Sequence, residues 1–102
     1  MNLFEITDLP GAAEVIDRIV DSNASGVRIE RIVSTGQTSD WYNQAQHEFV
    51  ALLTGNAVIE YDNGETVALK PGDTLIIERF QRHRVTFTST HPAAIWLCVF
   101  YD

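Results

Sequence analysis

Apolar positions along the chain change their period once. Between Gly11 and Ser22, in GAAEVIDRIVDS, Val15, Ile16, Ile19 and Val20 fall on one helical stripe behind Pro10-Gly11. That spacing predicts a short amphipathic helix. From Val27 the alternation is strand-like, with Val27, Ile29 and Arg31 set against Arg28, Glu30 and Ile32. Similar runs then recur at short intervals. EFVALLT ends at Gly55-Asn56, AVIEY at Asp62-Asn63-Gly64, and ETVAL at Lys70-Pro71-Gly72-Asp73. TLIIE, HRVTFTS and, after His91-Pro92, AAIWLCVFY complete the series. Asn-Gly between two alternating runs is a strong hairpin signal, and many short strands at this spacing indicate a sandwich or barrel. The chain therefore reads as one all-β domain over 1–102, with an N-terminal strand/helix extension over 1–26 that holds the short helix, and a barrel over 27–102.

Strand parity indicates where chemistry could sit. In HRVTFTS, His83, Val85 and Phe87 share one face, and Arg84, Thr86 and Thr88 the other. In HEFVALLT, Glu48 shares a face with Val50 and Leu52, while His47, Phe49, Ala51 and Leu53 take the opposite one. Glu48 and His83 thus both point toward the apolar interior. Burying an isolated ionisable group is costly, so each needs a partner, a metal or a wet pocket. The pair either satisfies itself in the core or marks a functional site. Because both faces of the Glu48 strand are apolar, the outer one calls for cover, and a second subunit would supply it.

Composition narrows the partners. The 102 residues carry 7 basic and 14 acidic side chains, a net charge of −7, with 45% hydrophobic residues. Phosphate contacts need cations, so nucleic acid is not an expected partner. No apolar run approaches the roughly 20 residues that span a bilayer. The N-terminal MNLFEITDLPG lacks the basic flank and apolar stretch of a signal peptide. Cys98 has no second cysteine to pair with, which suits the reducing cytoplasm.

The order of these features resembles the cupin superfamily of small β-barrels. Gly36 opens the first cupin motif, Glu48 stands in its glutamate position, and FVALLT spaces it from Gly55. Gly64, the KPGD turn (Lys70 to Asp73), TLIIE and His83 follow the plan of the second motif. The resemblance implies a double-stranded β-helix, or jelly-roll barrel, with the site inside and homodimers common. In metal-binding members two motif-one histidines, the glutamate and the motif-two histidine hold iron, manganese, nickel or zinc. This sequence departs there: Tyr42 and Gln44 occupy the His-x-His positions, or Trp41 and Asn43 with the longer spacing. His47 alternates away from Glu48. A metal on Glu48, His83 and Gln44 would be loosely held, because an amide oxygen is a weak neutral donor.

The expected site therefore has Glu48 and His83 as catalytic residues, with Tyr42, Gln44 and Arg79 contacting a small polar ligand. Arg79, in a loop, is a candidate for capturing a carboxylate or phosphate. Arg82 and Arg84 face outward and read as partners for acids such as Glu30, Glu60 or Glu78. Cys98 reads as a buried hydrophobe and His91 as solvated. No serine or cysteine sits in a nucleophile context. The competing functions are an isomerase- or dioxygenase-like enzyme, a metal-free binding or sensing module, and a protein acting through its dimer surface.

Overall fold

The computed structural model describes residues 1–22 and 26–102. It contains eight strands: β1 (Val15–Ser22), β2 (Val27–Ser34), β3 (His47–Thr54), β4 (Ala57–Tyr61), β5 (Thr66–Leu69), β6 (Thr74–Ile77), β7 (His83–Thr88) and β8 (Ala94–Tyr101). They form a five-stranded sheet in the order β1-β2-β8-β3-β6 and a three-stranded sheet in the order β5-β4-β7. Every pairing between these strands is antiparallel. The all-β barrel is as the pattern predicts. Among the described residues no helix is long and apolar enough to cross a membrane.

The expected N-terminal helix is absent, and β1 takes its place. Its apolar residues, Val15, Ile16, Ile19 and Val20, are all β-branched, which favours strand over helix. Its register on β2 also sets opposite charges across from one another. Asp17 faces Arg31, Arg18 faces Glu30 and Asp21 faces Arg28. Arg31 Nη2 lies 2.6 Å from Asp17 Oδ2. The helical spacing arises from a bulge between Arg18 and Val20. The extra residue reverses parity, so two strand half-patterns imitate one helical stripe.

A second bulge corrects the reading of β7. Ile59 pairs with Val85 but Val58 with Phe87, leaving Thr86 as the extra residue. Phe87 therefore turns outward, 50% exposed, and Thr88 turns in and is buried. His83 precedes the bulge and keeps its inward direction.

Between the sheets lie Val50, Leu52, Ile59, Ile77, Trp96, Cys98 and Phe100, all buried. Cross-strand register aligns them: Val50 faces Cys98, Leu52 faces Trp96, and Glu48 faces both Phe100 and Ile77. The apolar layer fills one end of the barrel. Toward the other end its place is taken by polar side chains.

Candidate functional site

A cavity of about 300 Å³ opens between the sheets. This lies at the small end of the range for small-molecule sites. Val50, Ile59, Ile77, Trp96 and Phe100 form its apolar floor, while Glu48, His83, Tyr42 and Gln44 supply polar groups. Four of the five site residues expected from the sequence are thus brought together. Arg79 is not among them. Its backbone amide lies 3.0 Å from His47 Nδ1 and its Nε 3.2 Å from His47 Nε2, on the outside of the barrel. Alternation explains the placement, since His47 faces away from Glu48. The outward arginines behave as structural partners: Arg84 Nη2 lies 2.6 Å from Glu60, and Arg84 and Arg82 both lie over the Trp41 ring.

Backbone pairing positions the polar side. The segment before β3 runs along β7, with Tyr42 N–H donating to His83 O at 2.7 Å and His83 N–H to Tyr42 O at 3.1 Å. Phe80 N–H donates to Gln44 O at 2.8 Å. These bonds hold Tyr42 and Gln44 at the cavity without any regular strand there. The Tyr42 ring lies 5.5 Å from the imidazole of His83.

Glu48 is 8% exposed and His83 3%. Glu48 Oε1 accepts a hydrogen bond from Gln44 Nε2 at 2.9 Å and lies 3.9 Å from His83 Nε2. His83 Nδ1 lies 2.9 Å from the carbonyl of Gln81. A carbonyl can only accept, so Nδ1 carries a proton and Nε2 is the ring nitrogen turned toward Glu48. Burial pushes the Glu48 carboxyl above its usual range, opposed by the Gln44 bond, by His83 and by the Cys98 thiol. Cys98 in turn is pushed well up, first by burial and then by the Glu48 charge. Its S–H is thus a donor to the carboxylate, a role that reading it as a hydrophobe missed.

Further lining residues also escaped the sequence reading: Glu14, Arg28 and Glu30. Arg28 Nε lies 3.0 Å from Glu30 Oε2, and its guanidinium stacks 4.0 Å above the Phe100 ring. Glu14 accepts from Ser34 Oγ at 3.2 Å. Burial raises its carboxyl, and the Glu30 charge adds to the shift. The Tyr42 hydroxyl is likewise raised by burial and then by the charge of Glu14, with Glu48 adding to it. Alternation in β2 does put Arg28, Glu30 and Ile32 on one face. Only sheet pairing shows that this face is the inner one.

The donor set does not fit a resident divalent metal. Glu48 and His83 are two strong ligands where four are needed, and Gln44 turns its amide nitrogen, a donor, to Glu48. The Trp96 indole nitrogen, buried without a hydrogen-bond partner, is a donor as well. Among the described residues no three His, Cys, Asp or Glu side chains group together as a metal site.

An eight-stranded antiparallel barrel with an acid–imidazole pair in its interior defines a class of small β-barrel proteins with an internal site. The cupin-domain family profile matches residues 30–100, and the chain belongs to the cupin superfamily. It is similar over its whole length to the crystal structure of a "putative mannose-6-phosphate isomerase" from Ralstonia eutropha JMP134. That match has 33% identity and a TM-score of 0.90, covering 100% of this chain and 96% of the other. A cupin superfamily protein from Desulfitobacterium hafniense DCB-2 matches at 17% identity and a TM-score of 0.79, over 92% and 82% of the two chains. The DMSP lyase DddQ from Ruegeria pomeroyi DSS-3 matches at 12% and 0.75, over 87% of this chain and 47% of that one, and shares the fold. No curated protein sequence matches.

Proposed function

We propose that the barrel interior binds a small polar molecule and that Glu48 and His83 move protons on it, as in an isomerisation. The observation carrying this reading is the 3.9 Å gap between Glu48 Oε1 and His83 Nε2, both buried against a cavity of about 300 Å³. That gap is too long for a self-satisfied hydrogen bond, so a ligand atom can reach both groups. A buried carboxyl and a buried imidazole that one ligand atom can reach are suited to exchanging protons with it. The Ralstonia "putative mannose-6-phosphate isomerase" points to the same class of chemistry.

The test is deuterium exchange at C2 of mannose and of mannose 6-phosphate in D₂O, followed by proton NMR. Exchange that disappears in both Glu48→Gln and His83→Asn, with circular dichroism unchanged, is the expected result. Exchange equal to the buffer blank for both sugars would leave a non-catalytic binding or sensing module.

The chain is further read as a cytoplasmic homodimer. A row of apolar residues, Ile29, Val99, Phe49 and Ile76, crosses the outer face of the larger sheet in register and supports the dimer. A single buried cysteine is at home in a reducing compartment.

A further inference from the structure

Three carboxylates, Glu14, Glu30 and Glu48, line the cavity, against one guanidinium, Arg28. The charge of the arginine is already matched by Glu30, although its buried Nε makes no hydrogen bond. Its Nε lies 3.0 Å from Glu30 Oε2, and its guanidinium carbon sits 4.0 Å from the centre of the Phe100 ring. The same Glu30 oxygen lies 3.2 Å from Arg18 Nη2, so Glu30 is doubly paired. Among the described residues neither Glu14 nor Glu48 has a lysine or arginine partner. Glu14 has the Ser34 hydroxyl; Glu48 has the Gln44 amide, the Cys98 thiol and His83 at 3.9 Å.

An anionic ligand would therefore enter against two uncompensated carboxylates. To reach Arg28 it would have to come beside Glu30, whose Oε2 lies 3.0 Å from Arg28 Nε. A positive charge meets the reverse situation, because buried charges without partners are costly and an ammonium would supply both carboxylates with one. The direction of their acidities agrees, since both carboxyls are raised chiefly by burial, with Glu30 repulsion adding to it.

We propose that this cavity takes a small organic ammonium ligand and excludes phosphorylated ones, with Glu14 and Glu48 receiving the positive charge. The proposal rests on the reading of the cavity as a ligand site. It sets this chain apart from the phosphorylated sugar in the name of the Ralstonia protein.

Three probes on one ring separate the possibilities: glucosamine, glucose and glucose 6-phosphate, titrated at neutral pH and low salt. Occupancy is read from the indole N–H resonance of Trp96, which lines the cavity. That of Trp41, packed under Arg82 and Arg84, serves as the outside control. Glucosamine is expected to bind at least about tenfold more tightly than glucose, and glucose 6-phosphate more weakly than either. Glu14→Gln should lower the ratio of glucosamine to glucose affinity severalfold. If glucose or glucose 6-phosphate moves Trp96 at lower concentration than glucosamine, the ligand class is wrong and the cavity reading stands. If none of the three moves Trp96 up to tens of millimolar, both fall.

Discussion

Glu48 and His83 face one another from opposite sheets, Glu48 on β3 of the five-stranded sheet and His83 on β7 of the three-stranded one, with 3.9 Å between Oε1 and Nε2. Neither residue could have been placed there by its own strand alone. The Glu48 backbone is fixed by pairing to β6 and β8, and that of His83 by pairing to Tyr61 and Tyr42. The two sheets thus meet at a buried ionisable pair beside the apolar Val50, Ile59, Ile77 and Phe100, and burying that pair costs stability.

That cost is measurable through Glu48. Its folded-state pKa is shifted upward from an ordinary value of 4.5, mainly by burial. Below 4.5 the group is protonated in both folded and unfolded chains and carries no charge penalty. Above 4.5 the unfolded chain ionises first, so stability falls with rising pH until the folded group has ionised as well. Glu48→Gln removes this charge and is expected to stabilise the protein at pH 7 by about 1 kcal/mol or more. The advantage should shrink toward zero below pH 4. Thermal unfolding of both proteins from pH 3.5 to 8 checks it; a variant less stable at pH 7 than at pH 4, relative to wild type, contradicts the shift.

Two glycines with similar backbone conformations should respond differently to alanine. Gly55 has φ +77° and Gly64 φ +88°, both in the left-handed region that a Cβ disfavours. At Gly64 an added Cβ meets nothing within 4 Å. At Gly55 it would lie 2.7 Å from Ala93 O and 2.8 Å from Ala94 Cα, backbone atoms that cannot swing aside. Gly64→Ala is expected to cost about 1 kcal/mol, and Gly55→Ala at least about 2 kcal/mol more through the clash. Urea denaturation of the two variants decides; equal losses would mean that the Gly55 turn opens freely.

The elements legible in the sequence are those whose alternation is unbroken. β2 through β6 and β8 announce themselves as runs between turn residues, and Glu48 declares its direction through Val50 and Leu52. Bulges are what alternation cannot carry. One extra residue near Ile19 makes β1 resemble a helix, and another at Thr86 turns Phe87 from the core to the surface. The polar lining of the cavity was legible where strand parity or the resemblance reached it, at Tyr42, Gln44, Glu48 and His83. It was hidden at Glu14, which precedes β1, and at Arg28 and Glu30, whose face acquires a direction only when β2 pairs with β8. Arg79 lies outside the cavity lining, on His47, and its loop position carries no parity that would have indicated this.

Metal content tests the donor count. Two strong ligands and an amide that turns its nitrogen inward give a divalent ion no closed shell. Untagged protein, incubated in turn with iron, manganese, nickel and zinc and then dialysed, is expected to hold well under one ion per chain by mass spectrometry. Near-stoichiometric metal that is absent from His83→Ala would overturn this and place a metal centre on Glu48 and His83.

The outer face of the larger sheet yields the prediction about assembly. Ile29, Val99, Phe49 and Ile76 lie in one cross-strand row on β2, β8, β3 and β6, and Ile76 on the edge strand is 48% exposed. A continuous apolar strip ending at an unpaired sheet edge is an aggregation hazard unless something covers it, and a second copy laid across the same strip covers both at once. A carboxylate at the centre of the row would have to be desolvated in that contact. Phe49→Asp is therefore expected to weaken the dimer by more than about a hundredfold. Light scattering coupled to size exclusion should give a dimer for wild type and a monomer for Phe49→Asp, with the same circular dichroism spectrum. The inner face, with Glu48 and the cavity, lies on the other side of β3 and is untouched by the change. Wild-type protein that runs as a monomer at micromolar concentration would leave the strip without a partner copy and end this reading.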